Sequence, residues 1–451
     1  MKQSSRIQST IELLEKIAGS RVPMDATTGD YMRGRRYIGS KDRADIAERV
    51  YNVVRARARL GWWLEQKAMA DAPRARVLAW LVLGEGRTAE QAAALFDASD
   101  HAPAVLVDEE KVFLVALPAG GLSSPDVPEA VRVECPPEYE EVLRERFGKD
   151  FVPEMEAMMT SAPLDLRVNA LRAPTRDDVL ASLAKDGVRT DRTPFAPFGL
   201  RARNKAFLSK TKAFVKGWVE IQDEGSQLVA AICGAKPGMQ VLDYCAGAGG
   251  KTLALAASMN NKGRIVATDT EKGRLERARP RFRRAGVHDI IEVRPLSDEK
   301  NRKWLRRQKG TFDVVLADVP CTGSGTWRRN PDTRWKAYGP GLAELLLVQT
   351  EILDKVAKAV KPGGRFVYAT CSLLPAENDA QVTAFLERHP EFEVMPLSEA
   401  WGADTPAPCE GDFLRLTPRQ HNTDGFFAAV LRRKGQPEPV IADTDIADGD
   451  T

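Results

Sequence analysis

Apolar residues recur at helical spacing from the start of the chain: Ile7, Ile11 and Leu14 fall on one face, as do Ile46, Val50 and Val54. Thr88 and Gln91 carry a capping-box signature ahead of Ala92, Ala93 and Leu95, marking another helix start. Residues 105–107 and 112–116 predict two short strands; alternation is otherwise rare before residue 150. The pattern predicts an all-α domain over residues 1–150, with a basic helix at 43–59.

Near Pro163 the pattern changes. Leu164, Leu166 and Val168 alternate with Asp165, Arg167 and Asn169 as a half-buried strand does, and a helix over 175–185, Gly187 and another strand follow. A small α+β module over 160–220 is expected. Its second half interleaves Arg201, Arg203, Lys205, Lys210, Lys212 and Lys216 with Phe207 and Phe214. Cations meet phosphates and aromatic rings stack on bases, so this reads as an RNA surface, and equally as a solvated face over core phenylalanines.

Over residues 221–434 strands at 239–243, 264–269, 290–293, 312–318 and 365–370 alternate with helices at 251–257, 272–285, 342–360 and 376–388. That alternation predicts an α/β fold, a doubly wound parallel sheet, with 411–416 and 425–432 as a terminal antiparallel pair. The acidic segment 435–451 is expected to be disordered.

Composition narrows the function classes. The chain has 451 residues, 43% hydrophobic, enough for roughly three domains at about 150 residues each. Without the fifteen residues from Pro437, 66 basic residues stand against 58 acidic, a bias of +8 toward polyanions such as RNA. No apolar run is long enough for a membrane helix, and Glu12 and Glu15 interrupt any signal-peptide core. Six cysteines lack CxxC or zinc spacing, in a chain with only four histidines. A cytoplasmic monomer with reduced thiols, no metal and no membrane contact is expected.

The chemistry concentrates at strand ends. Asp243 leads into Cys245, Ala246, Gly247, Ala248, Gly249, Gly250 and Lys251, a glycine turn between strand and helix. Such a turn brings backbone N–H groups close to a ligand. It fails the P-loop pattern at Cys245 and the dinucleotide pattern at Thr252, leaving an acid followed by Gly-x-Gly, the arrangement Rossmann-like methyltransferases use for S-adenosylmethionine. Asp269 ends the next strand, twenty residues after Gly249, where a carboxylate would meet ribose hydroxyls or simply cap a helix. Asp298 is the nearest acid to the end of the following strand and the candidate adenine-reading residue.

Cys321, in Asp318-Val-Pro-Cys-Thr-Gly323, and Cys371, in Thr370-Cys-Ser372, then follow two further strands. A lone Cys is usually a small buried hydrophobe, but two beside a methyl donor suit methylation of a pyrimidine at carbon 5. That carbon becomes nucleophilic only after a thiolate adds at carbon 6, with an acid stabilising charge at ring nitrogen 3 and a base later removing the carbon 5 proton. Methylation of an exocyclic adenine amine needs no thiol, and Pro320-Cys321 in place of Pro-Pro-Tyr argues against it. These residues do not rank the two thiols.

Residues Asp243 to Thr252, Asp318 to Gly323 with Arg328-Arg-Asn-Pro-Asp332, and Thr370-Cys-Ser372 with Glu377-Asn378 resemble the NOP/Sun (RsmB-type) RNA 5-methylcytosine methyltransferases. The resemblance extends through Leu166-Arg-Val-Asn169, Gln222-Asp-Glu-Gly-Ser226 and Asp424-Gly-Phe-Phe427, covering residues 160–433. Tyr37-Ile-Gly-Ser-Lys-Asp-Arg43 more faintly resembles a NusB-like helical RNA-binding domain. The resemblance implies a Rossmann-like class I methyltransferase sheet with Cys371 as nucleophile and Cys321 assisting proton removal and release. Asp318 would touch base and donor, and the Cys245–Lys251 loop with Asp269 would hold S-adenosylmethionine. The family loop Ala-Ala-Pro-Gly-Gly is here Ala246-Gly-Ala-Gly-Gly250, which loses a stiffening proline and keeps its backbone donors.

Two basic segments, 272–284 with seven cations and 300–309 with six plus Trp304, extend the candidate RNA surface; the first is also an ordinary solvated helix face. Ribosomal RNA is the expected substrate. The alternatives are transfer RNA, or a non-catalytic RNA-binding assembly factor that retains the fold.

Overall fold

The computed structural model describes residues 1–204, 206–402 and 406–435. Lys205 and the acidic tail beyond Gly435 lie outside the described residues.

The first part is helical, as its spacing predicts. Helices Gln3–Gly19, Ser40–Arg55, Arg57–Gln66 and Pro73–Leu83 bury Ile7, Ile46, Val50, Leu60, Val77 and Leu81 in one core. The capping box at Thr88 forms with both of its hydrogen bonds. Two expectations are corrected. The basic helix breaks at Ala56 into two. The strands expected at 105–107 and 112–116 are absent: the first segment is irregular and the second lies in helix Asp108–Val115. Asp108, Glu109 and Glu110 fill that helix's first turn, where carboxylates offset the helix dipole, and Glu110 accepts the Val107 N–H.

Helices Pro137–Phe147 and Phe151–Ala157 continue toward the larger sheet. Leu143, Phe151, Met155 and Met158 pack with Trp327, Leu373 and Leu374 in one apolar cluster. The helical part therefore shares a core with loops that flank Cys321 and Cys371.

The small module is a four-stranded antiparallel sheet of β1 (Asp165–Val168), β2 (Thr190–Arg192), β3 (Gly199–Ala202) and β4 (Val219–Ile221), in the order β2-β3-β1-β4. Its helix Arg176–Lys185, capped by Thr175, buries Val179 and Leu183 against it.

The larger sheet comprises β5 (Gln240–Asp243), β6 (Arg264–Asp269), β7 (Ile291–Pro295), β8 (Phe312–Asp318), β9 (Val360–Thr370), β10 (Phe392–Met395), β11 (Leu414–Leu416) and β12 (Phe426–Arg433). Its order is β10-β12-β9-β8-β5-β6-β7, with β11 paired to β12. Strands β5 to β9 run parallel, whereas β10, β11 and β12 pair antiparallel, so the expected parallel sheet carries an antiparallel margin. Alternate residues explain its two covered faces. Val241, Ile265, Val314 and Val367 face one layer of helices and Leu242, Val266, Val315 and Phe366 the other.

Strand order reverses between β5 and β8, and ligands of open α/β sheets bind beyond the carboxyl ends of the strands at such a point. Among the described residues no helix is long and apolar enough to cross a membrane, and no cluster of three or more His, Cys, Asp or Glu is arranged to hold a metal.

Candidate active site

The turn after β5 is shaped by two left-handed glycines, Gly247 (φ 55°) and Gly249 (φ 78°). A Cβ at Gly249 would lie 2.5 Å from Phe282, so only glycine lets the loop sit this close to helix Lys272–Ala285. Ala246 donates its N–H to the Thr268 carbonyl at 2.9 Å, and the Ala248 carbonyl accepts from Arg281 Nη1 at 2.6 Å. These contacts hold the loop without the family's proline.

Asp269, at the end of β6, is buried and accepts the Gly247 N–H and the Glu271 N–H, each at 2.8 Å, on separate oxygens. A carboxylate offers about four lone-pair sites, so each oxygen retains accepting capacity toward a ligand diol. Asp243 is also buried: one oxygen accepts the Thr252 hydroxyl at 2.6 Å and the other has no partner. Burial pushes its carboxyl up to about 7.

A cavity of about 910 Å³ opens where β5, β6 and β7 end, lined there by Tyr244, Thr270, Leu296 and Ser297. Asp298 is not among its lining residues. It is exposed, and its Oδ1 accepts the Lys300 N–H at 2.8 Å as the cap of helix Glu299–Arg306. Nor do Asp269 and the glycine turn line the cavity, since most of it runs between helices Glu299–Arg306 and Leu342–Ala357.

Across the switch point, β8 and β9 end side by side, with Asp318 in register with Ala369. The loops that follow bring Cys321 Sγ to 3.5 Å from Cys371 Sγ. Their hydrogen bond, then burial, push the Cys321 thiol well above its ordinary value. Burial likewise raises Cys245, which packs against the core below Leu242 and Tyr244 rather than joining the pair.

Lys251 Nζ donates to Asp318 Oδ2 at 2.7 Å and lies 5.2 Å from the Phe426 ring centroid. Burial alone would lower its ammonium, but the negative charge and hydrogen bond of Asp318 more than offset it, and the net shift is upward. Lys251 therefore ties the helix after the glycine turn to Asp318, at the strand end that leads into Cys321.

A role that sequence reasoning missed belongs to Glu377. Its carboxyl is fully buried and accepts the Thr322 N–H at 2.9 Å, the Thr322 hydroxyl, the Ser372 hydroxyl and Gln349 Nε2 at 3.0 Å. Thr322 follows Cys321 and Ser372 follows Cys371, so one side chain clamps both thiol-bearing loops. Asn378 completes the clamp, accepting from Thr370 Oγ1 at 2.6 Å and donating to the Ser372 carbonyl at 3.0 Å. The one available signal was the pair Glu377-Asn378 a short turn after Cys371.

Behind this clamp, Gly325 donates to the Cys371 carbonyl at 2.9 Å and accepts from Gly425 at 2.8 Å. A Cβ on Gly325 would lie 2.3 Å from the Gly425 carbonyl oxygen. Arg328 and Arg329 then pair with Asp424, and Arg329 also with Asp223, whose carboxyl burial and Asp424 push up to about 7. Farther along, Asp332 Oδ2 accepts the Met24 N–H at 2.8 Å and Arg334 donates to the Glu134 and Met158 carbonyls. The loop after Cys321 is thus held by the helical part of the chain.

Comparison with known proteins agrees with this geometry. A family model of the 16S rRNA methyltransferase RsmB/F matches residues 230–432. The probable ribosomal RNA small subunit methyltransferase B of Synechocystis sp. is 33% identical over 295 residues, 65% of each chain. The Bacillus subtilis counterpart is 34% identical over 271 residues, 60% of each. The chain spans under two thirds of the length of these curated relatives. Among solved structures, that of PH0851 superposes with a TM-score of 0.74 at 26% identity, covering 96% of this chain and 99% of that one. A methyltransferase homologue from Pyrococcus horikoshii gives 0.56 at 29% identity, covering 68% and 97%. Residues 230–432, which carry the glycine turn and the thiol pair, thus match the model of the 16S rRNA methyltransferase RsmB/F.

Proposed function

We propose that this protein methylates carbon 5 of a cytosine in RNA, with small-subunit ribosomal RNA as substrate class, through a covalent adduct between Cys371 and carbon 6. The observation that carries the reading is the 3.5 Å approach of two thiols at adjacent strand ends, beside the Lys251–Asp318 pair. The names of the curated relatives supply the RNA class.

S-adenosylmethionine, when bound, supplies the electrophilic methyl group. The N–H-rich turn Cys245–Lys251 and the spare acceptor capacity of Asp269 fit its amino acid and ribose portions. In this reading Asp318, paired with the Lys251 ammonium at 2.7 Å, touches both base and donor.

The thiol pair also orders the steps. The resemblance to the RNA 5-methylcytosine methyltransferases assigns attack at carbon 6 to Cys371, and Cys321 lies 3.5 Å from it. In this reading the Cys371 thiolate bonds to carbon 6 and carbon 5 takes the methyl group as its bond to the sulfonium sulfur breaks. Cys321, its own proton released to solvent, then takes the carbon 5 proton while the bond between carbon 6 and Cys371 breaks and returns its electron pair to that sulfur.

Mapping bisulfite-resistant cytosines in total RNA tests the reading. Cells with the wild-type protein should contain a protected cytosine in small-subunit ribosomal RNA that is lost with Cys371→Ala. Identical maps would overturn it, and a protected site in transfer RNA would reassign the substrate.

A further inference from the structure

The basic stretch 201–216 does not act as one surface. Arg201 pairs with Asp165 and Glu224, and Arg203 with Asp191, so neither guanidinium is free for a phosphate. Lys212 and Lys216 have no carboxylate partner among the described residues. Their ammonium groups lie 5.7 and 5.3 Å from the ring centroid of half-exposed Trp218.

Opposite them stand exposed Arg172 and Arg283, also without ion pairs among the described residues. Arg172, Val215, Lys216, Trp218, Arg283 and Arg284 line a shallow hollow of about 490 Å³, and Val215 is 62% exposed within it. Of these cations only Arg284 is neutralised, by Glu220.

The hollow is rigidly built. Asn169 Nδ2 donates to the carbonyls of Gly217 and Ala285, both at 3.0 Å, joining the small module to the end of helix Lys272–Ala285. Gly217 (φ 69°) and Gly286 (φ 75°) permit the approach, since a Cβ would meet the Arg284 carbonyl oxygen at 2.1 Å or Arg172 at 2.6 Å. The same helix runs along the donor loop, with Arg274 close to Gly247, Phe282 close to Gly249 and Arg281 bonded to the Ala248 carbonyl, so the hollow adjoins the active site. One RNA can therefore occupy the hollow and the active site together.

We propose that this saddle between the small module and helix Lys272–Ala285 is an RNA-docking site, which seats the phosphate backbone on Arg172, Lys212, Lys216 and Arg283 and a base on Trp218. The inference rests on the RNA reading above and adds where the RNA is held. Free cations around an exposed indole favour nucleic acid, because phosphates take the charge and a base takes the ring.

The test uses the full chain and a labelled fragment of small-subunit ribosomal RNA that the wild-type protein methylates. Lys216→Glu/Arg283→Glu should weaken RNA binding at least about tenfold and lower the slope of log affinity against log salt by about one for each phosphate no longer neutralised. Donor affinity should be unchanged, which certifies the fold; Lys216→Gln/Arg283→Gln serves if the reversal misfolds. Trp218→Leu should weaken binding with the salt slope unaltered. Wild-type affinity and slope in the charge variants would overturn the proposal, as would weaker heparin binding with RNA binding intact. Failure of the wild-type protein to methylate any RNA would instead sink the functional reading.

Discussion

Cys321 Sγ and Cys371 Sγ lie 3.5 Å apart although fifty residues separate them in the chain. If the two act at opposite ends of one intermediate, as proposed, their variants should differ in kind. Cys371→Ala should neither form an adduct nor transfer a methyl group. Cys321→Ala should attack, methylate and then stall with RNA attached through Cys371. A denaturing gel with RNA and donor checks this, the stalled species migrating slowly. A slow band from Cys371→Ala alone would reverse the roles.

Glu377 faces three N–H or O–H groups and the Gln349 amide, all donors, so Glu377→Gln turns an amide group toward them. At about 1.5–3 kcal/mol per hydrogen bond to a charged group, kcat should fall by about tenfold or more. The RNA KM should hardly move, because Glu377 positions thiols and is buried away from substrate. Slower alkylation of Cys371 by iodoacetamide should accompany the loss. Wild-type kcat in this variant would remove Glu377 from the positioning of the loops.

Asp269→Ala removes an acceptor for the donor and the anchor of the Gly247 N–H. A loss of about 1.5–3 kcal/mol, or roughly ten- to a hundredfold in Kd, is expected in calorimetric titration with S-adenosylmethionine. Unchanged affinity would place the ribose elsewhere. Asp298→Ala should leave that affinity close to wild type, since its carboxylate is exposed and caps a helix.

Asp243 supplies a pH dependence of stability. Burial holds its carboxyl near 7 in the folded protein against about 3.9 unfolded, so between these values the folded state binds the extra proton. Its contribution is therefore favourable below about pH 4 and is lost as pH rises to about 7. Asp243→Asn does not titrate, and its Tm relative to wild type should rise between pH 5 and pH 8. A Tm difference independent of pH would mean that Asp243 is ionised throughout.

Much of the fold and both thiols were legible because their signals are local. Strands β6 and β8 and helix Lys272–Ala285 begin and end where periodicity and glycine place them. What escaped came from overlapping local signals and from distant partners. The strand propensity of Val112 and Val115 gave way to three carboxylates at a helix start. The clamp at Glu377 joins Thr322 to Ser372, which only the completed sheet makes neighbours. Nor does spacing reveal that Trp327 beside the thiol loops shares a core with Phe151 and Met155.

Strand β12 is translated after every other strand of its sheet, yet it lies between β9 and β10, with Phe427 in register with Thr370, immediately before Cys371. Gly425, just ahead of it, supplies the N–H that pins Gly325 in the other thiol loop. Folding during synthesis proceeds from the N-terminus, so a nascent chain presents its helical part long before its thiols can meet. Under the proposed mechanism, the paired thiols are thereby withheld from an unfinished polypeptide that emerges beside ribosomal RNA.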